Sequence, residues 1–354
     1  MKPFSLLVCI LSMLTLTSTA KYKNDNEARI DKTWKENART LALQEIDTKE
    51  LLEYAECCYL FNDILVVQNY ENSGKHILEF VDINTMKIKR QALMIGNGPG
   101  EVIKAIIRKS GTYLTVDDFM KARIAQIDVA AYMSDQEPVV GFREYGFDTQ
   151  NLDFWDERRF ICLNPYRFIN RKLKINQDEP RFLILEANDE IPHKKDQVEA
   201  LDINYGDILI NKKAGKVCFV SYNTPSIEFY DSILRPINTL TGPDELNPEY
   251  SIRNNYVLSG SDIVRGYFCS TYNDTDIWLA YDGRMLSLME ILDNGGAITS
   301  SDSYIFRLDW DGNIRESYRL HKDKKIKSMS IGPKGELYMS CEVEGILKLF
   351  IARM

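Results

Sequence analysis

From about residue 40 onward, apolar and polar side chains alternate in short runs, the period of a half-buried β-strand. Tyr59 to Phe61 and Ile64 to Val67 flank Asn62-Asp63, a hairpin signal. His76 to Val81 and Met86 to Leu93 flank Asp82 to Thr85 in the same way. The alternation returns at Tyr113 to Val116, Ile124 to Val129, Val217 to Tyr222, Ile227 to Tyr230, Asp276 to Tyr281, Tyr304 to Asp309 and Glu336 to Cys341. Asp311-Gly312 and Lys334-Gly335 supply turns between such runs. Helical periodicity shows only around Thr33 to Leu43, and strands do not alternate with helices, so the class is all-β.

Units of a hairpin plus a return begin near Leu52, Ile103, Leu152, Tyr205, Tyr256 and Ile326. A sandwich has too few strands for this chain, whereas a propeller absorbs many short strands in one domain. The pattern predicts a six-bladed β-propeller of four-stranded antiparallel blades, with a β-helix as the competing architecture. The last unit lacks an outer strand, which Thr40 to Ile46 can supply, so that an N-terminal strand closes the final blade. Surplus length is expected in loops at Asp178 to Ala200 and Leu234 to Asn255. The expected organisation is a signal segment over 1–20, a lead segment over 21–39 and the propeller over 40–354.

One stretch is more specific. Ile95-Gly96-Asn97-Gly98-Pro99-Gly100-Glu101 is followed by a strand, then Gly111 to Asp118, then Lys121-Ala122-Arg123-Ile124-Ala125-Gln126-Ile127-Asp128. This resembles an NHL-type blade, and its glycine-rich opening loop is similar to that of TolB-like six-bladed propellers common in exported Bacteroidetes proteins. Leu308-Asp309-Trp310-Asp311-Gly312-Asn313-Ile314 looks like a closing blade of that family. The resemblance implies an exported propeller and no agreed chemistry. It departs from the family pattern at Val102, where an aromatic is usual, and in blades three and four.

The chain has 354 residues, 44 Lys+Arg and 52 Asp+Glu, a formal charge of -8, which argues against nucleic acid as a partner. Lys2, the apolar run Phe4 to Leu16 and the small residues Ser18-Thr19-Ala20 read as a secretory signal cleaved near Ala20. The mature chain then has no transmembrane segment and is periplasmic or extracellular. Of 7 cysteines, Cys9 falls in the signal, leaving Cys57, Cys58, Cys162, Cys218, Cys269 and Cys341. Buried free thiols are expected, with disulfides the alternative in an exported protein. No CxxC occurs, so a structural zinc site is not expected.

No catalytic or cofactor-binding residue can be assigned, and metal ligands are unknown. Gly96, Gly98 and Gly100 resemble a phosphate loop only superficially, because a strand rather than a helix follows; Glu101 is expected to accept backbone N–H bonds there. Asp309-x-Asp311-Gly312-Asn313 suits a hairpin turn better than a calcium loop. Asp117-Asp118 either stabilise their own turn or place two carboxylates near the axis. His76, His193 and His321 are scattered, and HExxH and GxSxG are absent. Ser259-Gly260-Ser261-Asp262 completes no nucleophile elbow, and Trp155-Asp156 and Trp310-Asp311 are not WD40 signatures. The 19 tyrosines suit either a sugar-stacking face or ordinary strand positions. Two functions follow. The first is a monomeric, non-catalytic binding or scaffold module for an envelope protein, peptide or glycan, with Leu234 to Asn255 as contact loops. The alternative is a lactonase-like hydrolase or lyase holding calcium or magnesium on channel carboxylates.

Overall fold

The computed structural model describes residues 27–353 apart from 72, 137–138, 148–150, 167, 170–173, 176–178, 192–196, 199–204, 247–249, 254–255, 260–261 and 294–300. The signal segment expected over 1–20 lies outside them, and no helix among the described residues is long and apolar enough to cross a membrane. Six small antiparallel sheets stand in a ring, a six-bladed β-propeller. The inner strands are Ala55–Phe61, Ile106–Ser110, Asp153–Phe154, Gly206–Asn211, Asp262–Tyr272 and Lys325–Ile331. Each turns back on itself through a short connection. In blade 1 that turn is Asn62-Asp63, with Asn62 at φ 50°, a conformation asparagine tolerates.

Closure follows the sequence pattern. Ala42–Ile46 pairs antiparallel with Ile346–Arg353, the last strand of blade 6, with Ala42 opposite Arg353 and Ile46 opposite Leu349. A strand from near the start of the described chain and the chain's last strand thus share one sheet.

The blades are mostly four-stranded, as the pattern predicts, and three other expectations need correction. Blades 1, 2 and 6 are four-stranded, but blade 3 shows three strands among the described residues, and blades 4 and 5 each gain a fifth. Glu27–Arg29 adds in parallel to Pro236–Thr241, and Arg39–Thr40 adds in parallel to Ile314–Leu320. The helix expected over Thr33 to Leu43 is a single turn, Thr33–Glu36, because the flanking residues gain ladder bonds by lying along blade edges. This strap also covers backbone edges that would otherwise be open to pairing. Trp34 packs on the core between blades 4 and 5, and Lys35 Nζ meets Asp244 Oδ2 at 2.6 Å.

The two expected loops are partly strand. Asp178 to Ala200 contains Phe182–Glu186, the third strand of blade 3. Leu234 to Asn255 contains Pro236–Thr241, the fourth strand of blade 4 in chain order, whose leading proline suits a first-residue position. Blade 5 starts at Asp262, later than expected, because Tyr256–Ser259 forms a separate hairpin with Tyr250–Arg253.

The core is divided among the blade junctions. Six apolar clusters are present among the described residues, one between each neighbouring pair of blades. Phe80 and Leu114 meet between blades 1 and 2, Phe219 and Ile161 between 3 and 4. The six cysteines are free, and Cys58, Cys162, Cys218 and Cys341 fill these clusters as small apolar groups. Burial pushes the thiols of Cys57 and Cys341 up to about 12, which keeps them inert at neutral pH.

Inner strands face the axis with one edge each, and side chains satisfy the backbone groups there. Ser330 Oγ of blade 6 accepts the Leu60 N–H of blade 1 at 3.0 Å, and Ser328 Oγ donates to the Cys58 carbonyl. Tyr59 donates to the Ile107 carbonyl of blade 2 at 3.1 Å. Ser330→Ala strands the buried Leu60 N–H, so urea unfolding should report a loss of about 1–3 kcal/mol. An unchanged stability would show that this bond does not fasten blade 6 to blade 1.

Candidate functional site: the axial channel

The glycine-rich loop is built as a structural clasp. Gly98 N–H donates to Glu101 Oε2 at 2.7 Å, as expected from the sequence. A Cβ at Gly96 would sit 2.1 Å from the same oxygen, so the carboxylate needs the glycine. Lys121 Nζ donates to the Gly96 carbonyl at 2.9 Å and the Glu101 carbonyl at 2.8 Å. Arg123 donates to the carbonyls of Pro99 and Glu101 and pairs with Asp118 at 3.2 Å. The loop's carbonyls thus turn toward cations of its own blade, the reverse of a loop that offers N–H groups to phosphate.

Asp117 and Asp118 lie on Tyr113–Asp118, the second strand of blade 2, not on the strand that lines the axis. Tyr145 donates to Asp117 at 2.8 Å, and Asp118 accepts the Ile103 N–H at 3.3 Å. Asp309 accepts the N–H groups of Asp311 and Asn313, both at 2.9 Å, and Gly312 sits at φ 85°, the geometry of a turn. His76 and His321 lie apart, and His193 falls outside the described residues. None of these residues converge on a common site.

The residues that do converge come from the inner strands. All six blades contribute to a cavity of about 120 Å3 on the axis, through Tyr59, Arg108, Asp153, Asp207, Cys269 and Lys327 among others. Beside it, at the end formed by the turns after the inner strands, a funnel of about 990 Å3 opens, lined by residues that include Tyr113, Gln126, Lys212 and Asp274. Lys109, Ser110 and their neighbours form the neck, since both residues line both spaces.

The neck is held by a small network. Lys109 Nζ donates to the Leu60 carbonyl at 2.6 Å and to the Ile331 carbonyl at 3.5 Å, joining blade 2 to blades 1 and 6. It stands 4.8 Å over the Phe61 ring. Desolvation brings its ammonium down to about 8. Ser110 donates to Asp153 Oδ2 at 2.8 Å and lies 3.2 Å from the Tyr272 hydroxyl. Burial raises the Asp153 carboxyl, against the opposing charge of Arg108.

Calcium or magnesium needs several free oxygen ligands around one point. The cavity's two carboxylates are already engaged: Asp153 accepts from Ser110, Thr115 and the Phe154 N–H, and Asp207 accepts from Tyr222 and Ser270. Arg108, Lys109 and Lys327 share the space with them. This donor-rich set does not fit a divalent cation, and among the described residues no group of three acidic, histidine or cysteine side chains is placed to hold one.

Sequence reasoning singled out none of the channel residues Asn151, Asp153, Asp207, Arg108 and Lys109, and of these only Arg108 and Lys109 left a signal in it. Their signal is two adjacent cations inside a run that otherwise reads as a strand, Ile103 to Ser110. The tyrosines divide between roles: Tyr267 and Tyr281 are core, Tyr113 lines the funnel, and Tyr272 belongs to the same core cluster while its edge reaches the funnel.

No protein-family model and no curated protein matches the chain. Solved structures do share its fold. A member of the DUF4221 family from Bacteroides vulgatus is 13% identical with a TM-score of 0.55, over 89% of this chain and 96% of that one. An exported protein, so described as putative, from Bacteroides fragilis is 13% identical with a TM-score of 0.51, over 93% and 99%. At that identity the likeness extends to the fold.

The lowered pKa of Lys109 has a defined consequence for stability. Below about 8 the ammonium is charged in folded and unfolded chains alike, and the folded state bears the full desolvation cost. Between about 8 and about 10 the folded chain has shed that proton and the unfolded chain has not, so the cost is relieved. Lys109→Met removes the titration, so the stability of the variant relative to wild type should fall as pH rises through that window. Denaturation curves with a pH-independent difference would contradict the burial of this charge.

Proposed function

We propose that this is an exported, non-catalytic binding propeller of the TolB-like and NHL-like kind, which takes a peptide or glycan segment of the cell envelope into its funnel. The observation that carries the reading is the funnel itself. Its volume, about 990 Å3, is at the upper end of what ligand sites enclose. Its walls mix aromatic faces, Tyr113 and Tyr272, with polar groups of both signs, Lys212, Lys213 and Asp274. Aromatic surfaces with a polar handle beside hydrogen-bonding groups suit an extended, polar ligand. Export is supported by the pattern of Lys2, Phe4 to Leu16 and Ala20, and by the description of the Bacteroides fragilis neighbour. The covered outer edges of blades 4, 5 and 6 support a monomer.

The metal-dependent alternative draws no support from the channel's donor set. EDTA is expected to leave the melting temperature unchanged, and a clear drop would restore that alternative.

Binding of full-length, exported protein to peptide and glycan arrays tests the main reading. A Tyr113→Ala, Lys212→Ala double variant should lose about tenfold or more in affinity. Met120→Ser, at the far end of blade 2, should bind as the wild type does. Equal binding by all three proteins, or loss confined to Met120→Ser, would place the contact surface elsewhere. Amino-terminal sequencing of the secreted chain should begin at Lys21.

A further inference from the structure

The axial cavity beside the funnel carries more hydrogen-bond donors than its own acceptors use. Among the described residues Arg108 makes one hydrogen bond, Nη2 to the Leu152 carbonyl at 2.7 Å, and no ion pair. Most of its fork is therefore unspent. Asn151 lines the same cavity with 8% of its surface exposed, and among the described residues its Nδ2 has no acceptor. The residue adopts φ 55°, a conformation asparagine supports better than most side chains. An amide left in this state costs about 1–3 kcal/mol, which a ligand oxygen would recover. The carboxylates that could have served, Asp153 and Asp207, are occupied by hydroxyl and backbone donors.

We propose that this cavity binds a carboxylate, with the Arg108 guanidinium and the Asn151 amide as donors to its oxygens. A planar fork matches a carboxylate in geometry as well as charge. Size limits the ligand. A cavity of about 120 Å3 has room for a carboxylate and a short stem, since one water takes about 30 Å3. Charge limits it too. Lys327 is already paired with Glu342 at 3.4 Å, so the cation with capacity to spare is Arg108, whose open fork favours an anion over a neutral ligand. The site is separate from the ligand proposed for the funnel and stands without it.

Acetate and acetamide are matched in shape and differ in charge and acceptor capacity, so they test the proposal on the wild-type protein. Methyl NMR of Leu152, Ile208 and Leu209, which line the cavity, reads binding directly. Acetate should shift these methyls and acetamide should bind about tenfold or more weakly. Asn151→Asp keeps size and backbone tolerance but points a negative group at the ligand, and Arg108→Gln removes the fork; each should weaken acetate about tenfold or more. Inorganic phosphate should bind less well than acetate. Equal effects of acetate and acetamide, phosphate binding without acetate binding, no shift at these methyls, or full acetate affinity in a folded Asn151→Asp protein would each overturn the assignment. Should Arg108→Gln fail to fold, the acetate-to-acetamide comparison decides alone.

Discussion

Six inner strands converge on the axis but cannot pair with one another, and this constraint organises the molecule. A strand edge without a partner leaves N–H and C=O groups that must find hydrogen bonds elsewhere. Here side chains from neighbouring blades provide them. Ser330 takes the Leu60 N–H, Tyr59 and Arg108 donate to the Ile107 and Leu152 carbonyls, and Lys109 bridges carbonyls of blades 1 and 6. The axis is polar for a structural reason. What remains after that accounting, the spare donors of Arg108 and Asn151, is where the channel has chemistry to offer.

The periphery is governed by the opposite edges. Outer strands would present open ladders to other chains, and the N-terminal strap covers three of them in succession, on blades 4, 5 and 6. The glycine-rich loop of blade 2 belongs to this structural side of the molecule. Its most ligand-like feature, three glycines around Glu101, is consumed internally by Gly98, Lys121 and Arg123. The strongest sequence motif therefore marks a fastening, and the candidate site lies on strands whose motif content is low.

The propeller, its blade number and its closure by residues near 42–46 were legible from alternation and turn residues alone, because strand period and Asn-Asp or Asp-Gly turns are local signals. The boundaries of blade 5 and the strands inside Asp178 to Ala200 and Leu234 to Asn255 were not, since charge and proline there mask short strands that depend on pairing. The parallel additions of Glu27–Arg29 and Arg39–Thr40 carry no local mark at all; they exist through distant edges. The channel was legible least. Asp153 and Asp207 come from different blades, and Asn151 stands out only for an acceptor it lacks among the described residues, a fact of three-dimensional placement. Arg108 and Lys109 alone left a trace, as paired cations in a strand.

The central claim is that the molecule's recognition chemistry lies on the axis, in donors left over once the blades are fastened. A crystal structure of the full chain grown with acetate at neutral pH tests it most directly. The account predicts a carboxylate in the axial cavity, bonded to the Arg108 guanidinium and the Asn151 amide. A cavity filled by water alone, with both groups turned to protein acceptors, would contradict it.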